Sequence, residues 1–184
     1  MDLTIIENLR DTTEIRMIKS NCNKILKKLS FNSQRDISNV TELTLLLYIF
    51  DMEEEALEVA NILKDVEFNG NYTLWDYVAD ARAIAVRILR GKGLSKEADE
   101  IMESIIPHLS PELYENQKDI LTSIYERNIS IARQRNSKSE VRDWKLIKLE
   151  EMIQYFEAPG FPIDKDEFDR EIMELKEELR TLVK

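Results

Sequence analysis

Apolar residues recur along this chain at intervals of three and four, the spacing that lines side chains along one face of an α-helix. Ile15, Ile18, Cys22, Ile25, Leu26 and Leu29 form the first stripe and predict a helix over 3–29. Thr12 and Thr13 interrupt the pattern, so the first ten residues can form a separate short turn. "SFNSQRD" (30–36) is loop chemistry. A second helix is predicted over 38–50, where Leu43, Leu46, Leu47 and Phe50 make a stripe widened by Leu45, Tyr48 and Ile49. A helix apolar around most of its circumference belongs at the centre of the packing. Asp51 and Met52 make a tight corner, and the third helix, 53–66, faces inward with Ala56, Leu57, Ala60 and Leu63. Glu53, Glu54 and Glu55 open it, at the positive end of the helix dipole.

Capping residues set the remaining boundaries. Thr73 as N-cap with Asp76 three residues on predicts a fourth helix to Arg90, ended by Gly91 and Gly93. Ser95 caps a fifth helix that stops at Pro107, and Ser110-Pro111 opens a sixth that reaches Arg135. A seventh spans 140–156 and ends at "APGFP" (158–162). The last, over 164–183, places Phe168, Ile172, Leu175, Leu179 and Leu182 at spacings of four, three, four and three. That heptad-like seam is expected to dock on its own domain; if it pairs outside the fold, the chain is a homodimer through 164–184. The whole reads as one all-helical domain over 1–184 with seven to eight helices.

Within this pattern lies an internal echo. "LYIFDMEEEALEVANIL" (47–63) and "LRGKGLSKEADEIMESI" (89–105) both run from an apolar helix end through a short corner into Glu-Ala and an amphipathic helix. Glu55-Ala56 and Glu97-Ala98 are 42 residues apart. A small residue there lets two antiparallel helices approach closely. The two units, over about 40–110, resemble tetratricopeptide-type helical hairpins, whose second helix opens with a small residue as at Ala56 and Ala98. Ser110-Pro111 lies near the place where that family often puts proline. The spacing is longer than the family's usual ~34 residues, and the aromatic and glycine positions of its first helix are not cleanly filled. The resemblance implies a right-handed array of stacked antiparallel hairpins and a binding role. The small acidic chain, with "VEFNGNYTLWDY" between hairpins, is also similar in character to bacterial toxin-immunity proteins.

Composition narrows the chemistry. The chain has 184 residues, a net charge of −10 and four residues each of Gly and Pro. Such a surface repels nucleic acid and anionic membranes and attracts basic partners. The single cysteine, Cys22, excludes an internal disulfide, reads as a small core residue and fits a reducing cytoplasm. The acidic, polar start of the chain is not expected to act as a secretion signal, and the longest apolar run, Leu45 to Phe50, is far too short to cross a bilayer. The single histidine, His108, excludes a His-rich metal site, and no Glu-x-x-His occurs. "RGKGLSK" (90–96) lacks the spacing of a phosphate loop, though Lys92, Lys96 and nearby amides could meet an anion. Nothing places Cys22 beside His108 as a nucleophile pair. No catalytic constellation, metal or cofactor is expected.

Two features remain for recognition. Between Asp51 and Glu67 seven acids face one base; between Lys118 and Lys148 eight bases face four acids. These blocks are solvated faces or a bipolar surface that orients a charged partner. In "FNGNYTLWDY" (68–77) four rings surround a turn. Phe68, Tyr72 and Trp75 either plug the space between two hairpins or, with Asp76 and Tyr77, line the mouth of a groove. The candidate partner-binding residues are Tyr72, Trp75, Asp76, Tyr77, Glu53, Glu54 and Glu58. The function expected is a non-enzymatic protein-binding module of immunity or antitoxin type, or a generic peptide-binding adaptor.

Overall fold

Helix-period stripes and well-placed stops leave the chain little alternative to helix. The computed structural model describes residues 3–27, 33–109, 111–160 and 163–183, with side chains except at 111–122. Among the described residues there are nine α-helices and no strand: α1 (Thr4–Thr12), α2 (Arg16–Lys27), α3 (Gln34–Ile49), α4 (Glu53–Ala60), α5 (Tyr72–Gly91), α6 (Ser95–Ile105), α7 (Pro111–Gln134), α8 (Lys138–Glu157) and α9 (Lys165–Leu182). Short 3₁₀ turns, Asn61–Leu63 and Ile106–His108, extend α4 and α6.

The count exceeds seven to eight because the first stripe is two helices. Thr13 is extended, and its Oγ1 accepts the Ile15 N–H at 3.2 Å, which ends α1 before α2 begins. Other boundaries shift for local reasons. α3 begins at Gln34, ahead of the expected 38. Asn71, not Thr73, caps α5: its side-chain oxygen accepts the Leu74 N–H at 3.1 Å. Leu94 occupies the cap position of α6, so Ser95 is already helical. Ser137 caps α8, its Oγ accepting from Glu140 N–H at 3.4 Å, and Asp164 caps α9 by accepting from Asp166 and Glu167 at 3.1 Å. Leu29 and Ser110 lie outside the described residues.

One corner is used three times. Asp51 (φ 58°), Gly93 (φ 75°) and Asn136 (φ 54°) each take the left-handed conformation after a helix. The next residue then donates to a carbonyl five back: Met52 to Leu47 at 3.0 Å, Leu94 to Leu89 at 2.9 Å, Ser137 to Ala132 at 3.0 Å. This is the Schellman closure, which satisfies carbonyls that the helix end leaves open. The corners follow one another at 42 and 43 residues, so the echo seen twice in the sequence has a third member at Glu140-Val141. It escapes notice because Val replaces the small residue, and because Asp and Asn do at two corners what Gly does at one.

The helices gather into two compact units, 1–108 and 109–183. In the first, α3 packs on α2, α4 and α5, while α5 also packs on α4 and α6. α3 is buried at every residue from Thr44 to Ile49, as its all-round apolar pattern requires. Its interior hydroxyls are satisfied: Thr41 Oγ1 donates to the Tyr77 carbonyl at 2.7 Å and Thr44 Oγ1 to Val40 at 2.9 Å. Arg87 Nε adds a 2.7 Å bond to Tyr48 Oη. Cys22 is fully buried, and desolvation pushes its thiol up to about 11. In the second unit α8 packs on α7 and α9. The seam residues Phe168, Ile172, Leu175 and Leu179 are buried, and Leu182 joins Trp144 against Ile129, Ala132 and Val141.

Candidate partner-binding groove

The aromatic turn is built by Gly70 (φ 91°), which reverses the chain, and by Asn69, whose Oδ1 accepts the Asn71 N–H at 3.1 Å. The rings then meet. Phe68 lies 4.9 Å from Tyr72 and 5.7 Å from Trp75, and it stacks on His108 at 4.1 Å and 22°. Trp75 meets His108 edge-on at 5.3 Å. The cluster therefore joins the start of α5 to the turn that follows α6. Trp75 is only 3% exposed, so it offers a partner no surface; Tyr72 is 63% exposed and carries the outward face. Asp76 is exposed and Tyr77 half-buried. Desolvation by the surrounding protein holds the Asp76 carboxyl above the ordinary Asp value.

Beneath the rings sits a residue that pattern reading passed over. Arg82 is buried in α5 with its guanidinium carbon 5.1 Å from the Trp75 ring centre. Nη2 donates to the carbonyls of Leu63, Lys64 and Val66 at 3.0, 3.0 and 2.9 Å, and Nη1 to Ser104 Oγ at 3.0 Å. It thus holds the carbonyl-rich end of the α4 segment, where a cation is favoured. Burial lowers its pKa, with Asp65 opposing. The available signal was one arginine inside an alanine-rich stripe, "ADARAIA".

At the other end of α5 the charges pair off. Lys92 Nζ lies 3.6 Å from Glu53 and 2.6 Å from Glu54, Arg90 lies 3.1 Å from Asp99, and Lys96 lies 3.8 Å from Glu100. The cations of "RGKGLSK" are thus engaged by neighbouring acids. The seven candidate residues do not form one patch. Tyr72, Trp75, Asp76 and Tyr77 open α5, whereas Glu53 and Glu54 sit beside its last turn, and its 20 residues span about 30 Å. Glu58 stands exposed on α4.

Between those ends runs a groove of about 540 Å³, walled by α4 and α6 over α5. Leu57, Ala60, Ala85, Leu89 and Ile101 give it an apolar floor; Glu97, Glu100 and Lys64 stand at its edges. The small side chains at 60 and 85 leave the space open. The walls run in the same direction. Lys92, just before α6, reaches the start of α4, while Arg82 ties Ser104, near the end of α6, to carbonyls just past the end of α4.

The basic block divides: Arg127, Arg133, Arg135 and Lys138 are exposed, whereas two of its lysines turn inward. Lys145 and Lys148 are buried in the second unit. Lys148 is bonded to Glu126 of α7 at 2.6 Å and to Glu171 of α9, and Lys145 to Glu178 of α9. Burial and the neighbouring Arg133 push Lys145 below the usual lysine range even with Glu178 against its ammonium. Burial also opposes the charge on Lys148, but its two glutamate bonds prevail and raise it. Glu126 is lowered, chiefly by its hydrogen bond from Lys148. Tyr125 and Trp144 meet at 6.3 Å as packing partners.

An all-helical chain with a repeated corner and an open, charge-edged groove is the class of protein these features define. Over residues 4–181 the sequence matches a family of unknown function (DUF6707), and the chain belongs to it. No curated protein and no solved structure matches. Among the described residues no helix is long and apolar enough to cross a membrane.

Proposed function

We propose that this chain is a non-enzymatic protein-binding module, a stack of tetratricopeptide-like hairpins that acts in the bacterial cytoplasm as an immunity-type protein. It binds and neutralises a partner with a basic surface. The observation that carries this reading is the groove of about 540 Å³ between α4 and α6, apolar along its floor and edged by Glu97 and Glu100. Apolar floors with charged edges bind by burying anchors at the centre and use charge at the edge for orientation. Support for the hairpin reading comes from the corner repeated at 42 and 43 residues. Tyr72, exposed at the far end of α5, adds the type of side chain enriched in binding hot spots.

The test is co-purification of the full chain from its native host, followed by growth assays with the recovered protein. A stoichiometric partner that arrests growth alone and is harmless when co-expressed with this chain supports neutralisation. A partner that is harmless alone moves the reading to a peptide-binding adaptor. No stoichiometric partner at all overturns both.

A further inference from the structure

The groove has a direction. Because α4 and α6 run the same way, Glu97 and Glu100 lie along its first half and Lys64 at its far end. Neither Glu97 nor Lys64 has an ion-pair partner among the described residues, while Glu100 meets Lys96 only at 3.8 Å. Glu58, also without such a partner, is exposed on α4 outside the groove's lining. Arg82 is saturated by three carbonyls and Ser104, so it supplies the floor with structure and leaves the edges to set the charge pattern. From Glu97 to Ser104 the α6 wall extends about 10 Å, two helical turns. Two helices of the same direction with an apolar trough between them form a seat for a third helix.

Resting on the partner-binding reading above, we infer that the groove's occupant is an amphipathic helix of the partner protein. It lays two turns of apolar side chains on Leu57, Ala85, Leu89 and Ile101. Its basic end lies over Glu97 and Glu100 and its acidic end over Lys64. The charge pattern fixes the direction of the helix as well as its presence.

A synthetic peptide of about 15 residues tests this: Ala-rich, with Leu at i, i+4 and i+7, two Lys at one end and two Glu at the other, capped at both termini. Binding to the full chain is read by fluorescence polarisation, and its site by amide shifts in a heteronuclear NMR spectrum. A nitroxide at the Lys end is expected to broaden amides around Glu97–Ile101 more strongly than those around Lys64. The Glu97→Lys/Glu100→Lys chain should bind about tenfold more weakly, and a peptide with Glu at both ends should recover the loss. Absent binding, equal broadening at both ends, shifts outside α4–α6, or unchanged affinity in that chain overturns the proposal. The native partner separates this from the wider reading. If it binds the Glu97→Lys/Glu100→Lys chain normally but is lost with Tyr72→Ala or Glu58→Lys, the groove assignment falls and partner binding stands.

Discussion

The groove of α4–α6 and the interior of α7–α9 handle charge in opposite ways. In α4–α6 acids and bases stand at the edges of an open apolar trough, and those that pair do so at the surface. In α7–α9 two lysines of the middle helix are drawn inside and bonded to glutamates of the flanking helices. A surface pair contributes little, since water already solvates both ions. A buried cation has lost that hydration and depends on its partners, so removing one side is costly. The first arrangement leaves charge free to meet another molecule; the second commits it to holding three helices in register.

This contrast can be tested from its largest effect downward. Trp75→Ala should destabilise the α4–α6 region by roughly 3–5 kcal/mol, because a buried ring that contacts Phe68, His108 and Arg82 leaves a cavity. Trp75→Phe should cost less than half as much, since it keeps a ring and removes an indole N–H that is buried without an acceptor. Denaturant melts of the three proteins decide it; an unchanged melt for Trp75→Ala would return that ring to the recognition surface.

Lys148→Met should cost about 1–3 kcal/mol, moderated because Glu126 and Glu171 keep part of their surface in water. It should also alter the pH profile. Glu126 is lowered in the folded chain, so its contribution is present above the ordinary Glu value and fades as pH falls through the lowered one. Lys148 is raised, so its contribution is complete below the ordinary lysine value near 10.5 and is lost as pH climbs through the raised one. Both limbs should flatten in Lys148→Met, as measured by unfolding across pH; a profile unchanged from the parent would remove the ion cluster from the account.

Asn71→Ala should cost about 1 kcal/mol by leaving the Leu74 N–H without its cap. Thr73→Ala, by comparison, should lie within about 0.5 kcal/mol. The smallest effect belongs to the repeated corner. Asn136→Gly should change stability by less than about 1 kcal/mol, in the stabilising direction, since glycine takes positive φ without steric cost. Gly93→Val should be clearly destabilising, because a β-branched residue resists φ 75°. If the two corners do not respond in these opposite ways, they are not equivalents.

Much of the fold was legible because helix signals are local. α3 announced its central place by being apolar around most of its circumference, and the α9 seam announced its burial by its spacing. Helix boundaries were read well where a backbone requirement forces the residue type, as at Gly93 and Pro111. They were misread where several residue types serve equally, as between Thr73 and Asn71. The candidate site was legible only in fragments. The rings of 68–77 were found, but His108 joins them from 40 residues away in sequence and Arg82 from the next turns of α5. The acids of α4 and the rings of α5 looked adjacent along the chain, yet they lie at opposite ends of a 20-residue helix.

By itself, then, the order of residues determined which stretches coil, where each stops and which stripe of each is apolar. These depend on interactions reaching only four or five positions along the backbone. Tertiary structure alone decided which charges stay in water and which are buried in pairs, and it alone opened a directional trough between α4 and α6. Those outcomes turn on distances between side chains far apart in the chain, which no local pattern encodes.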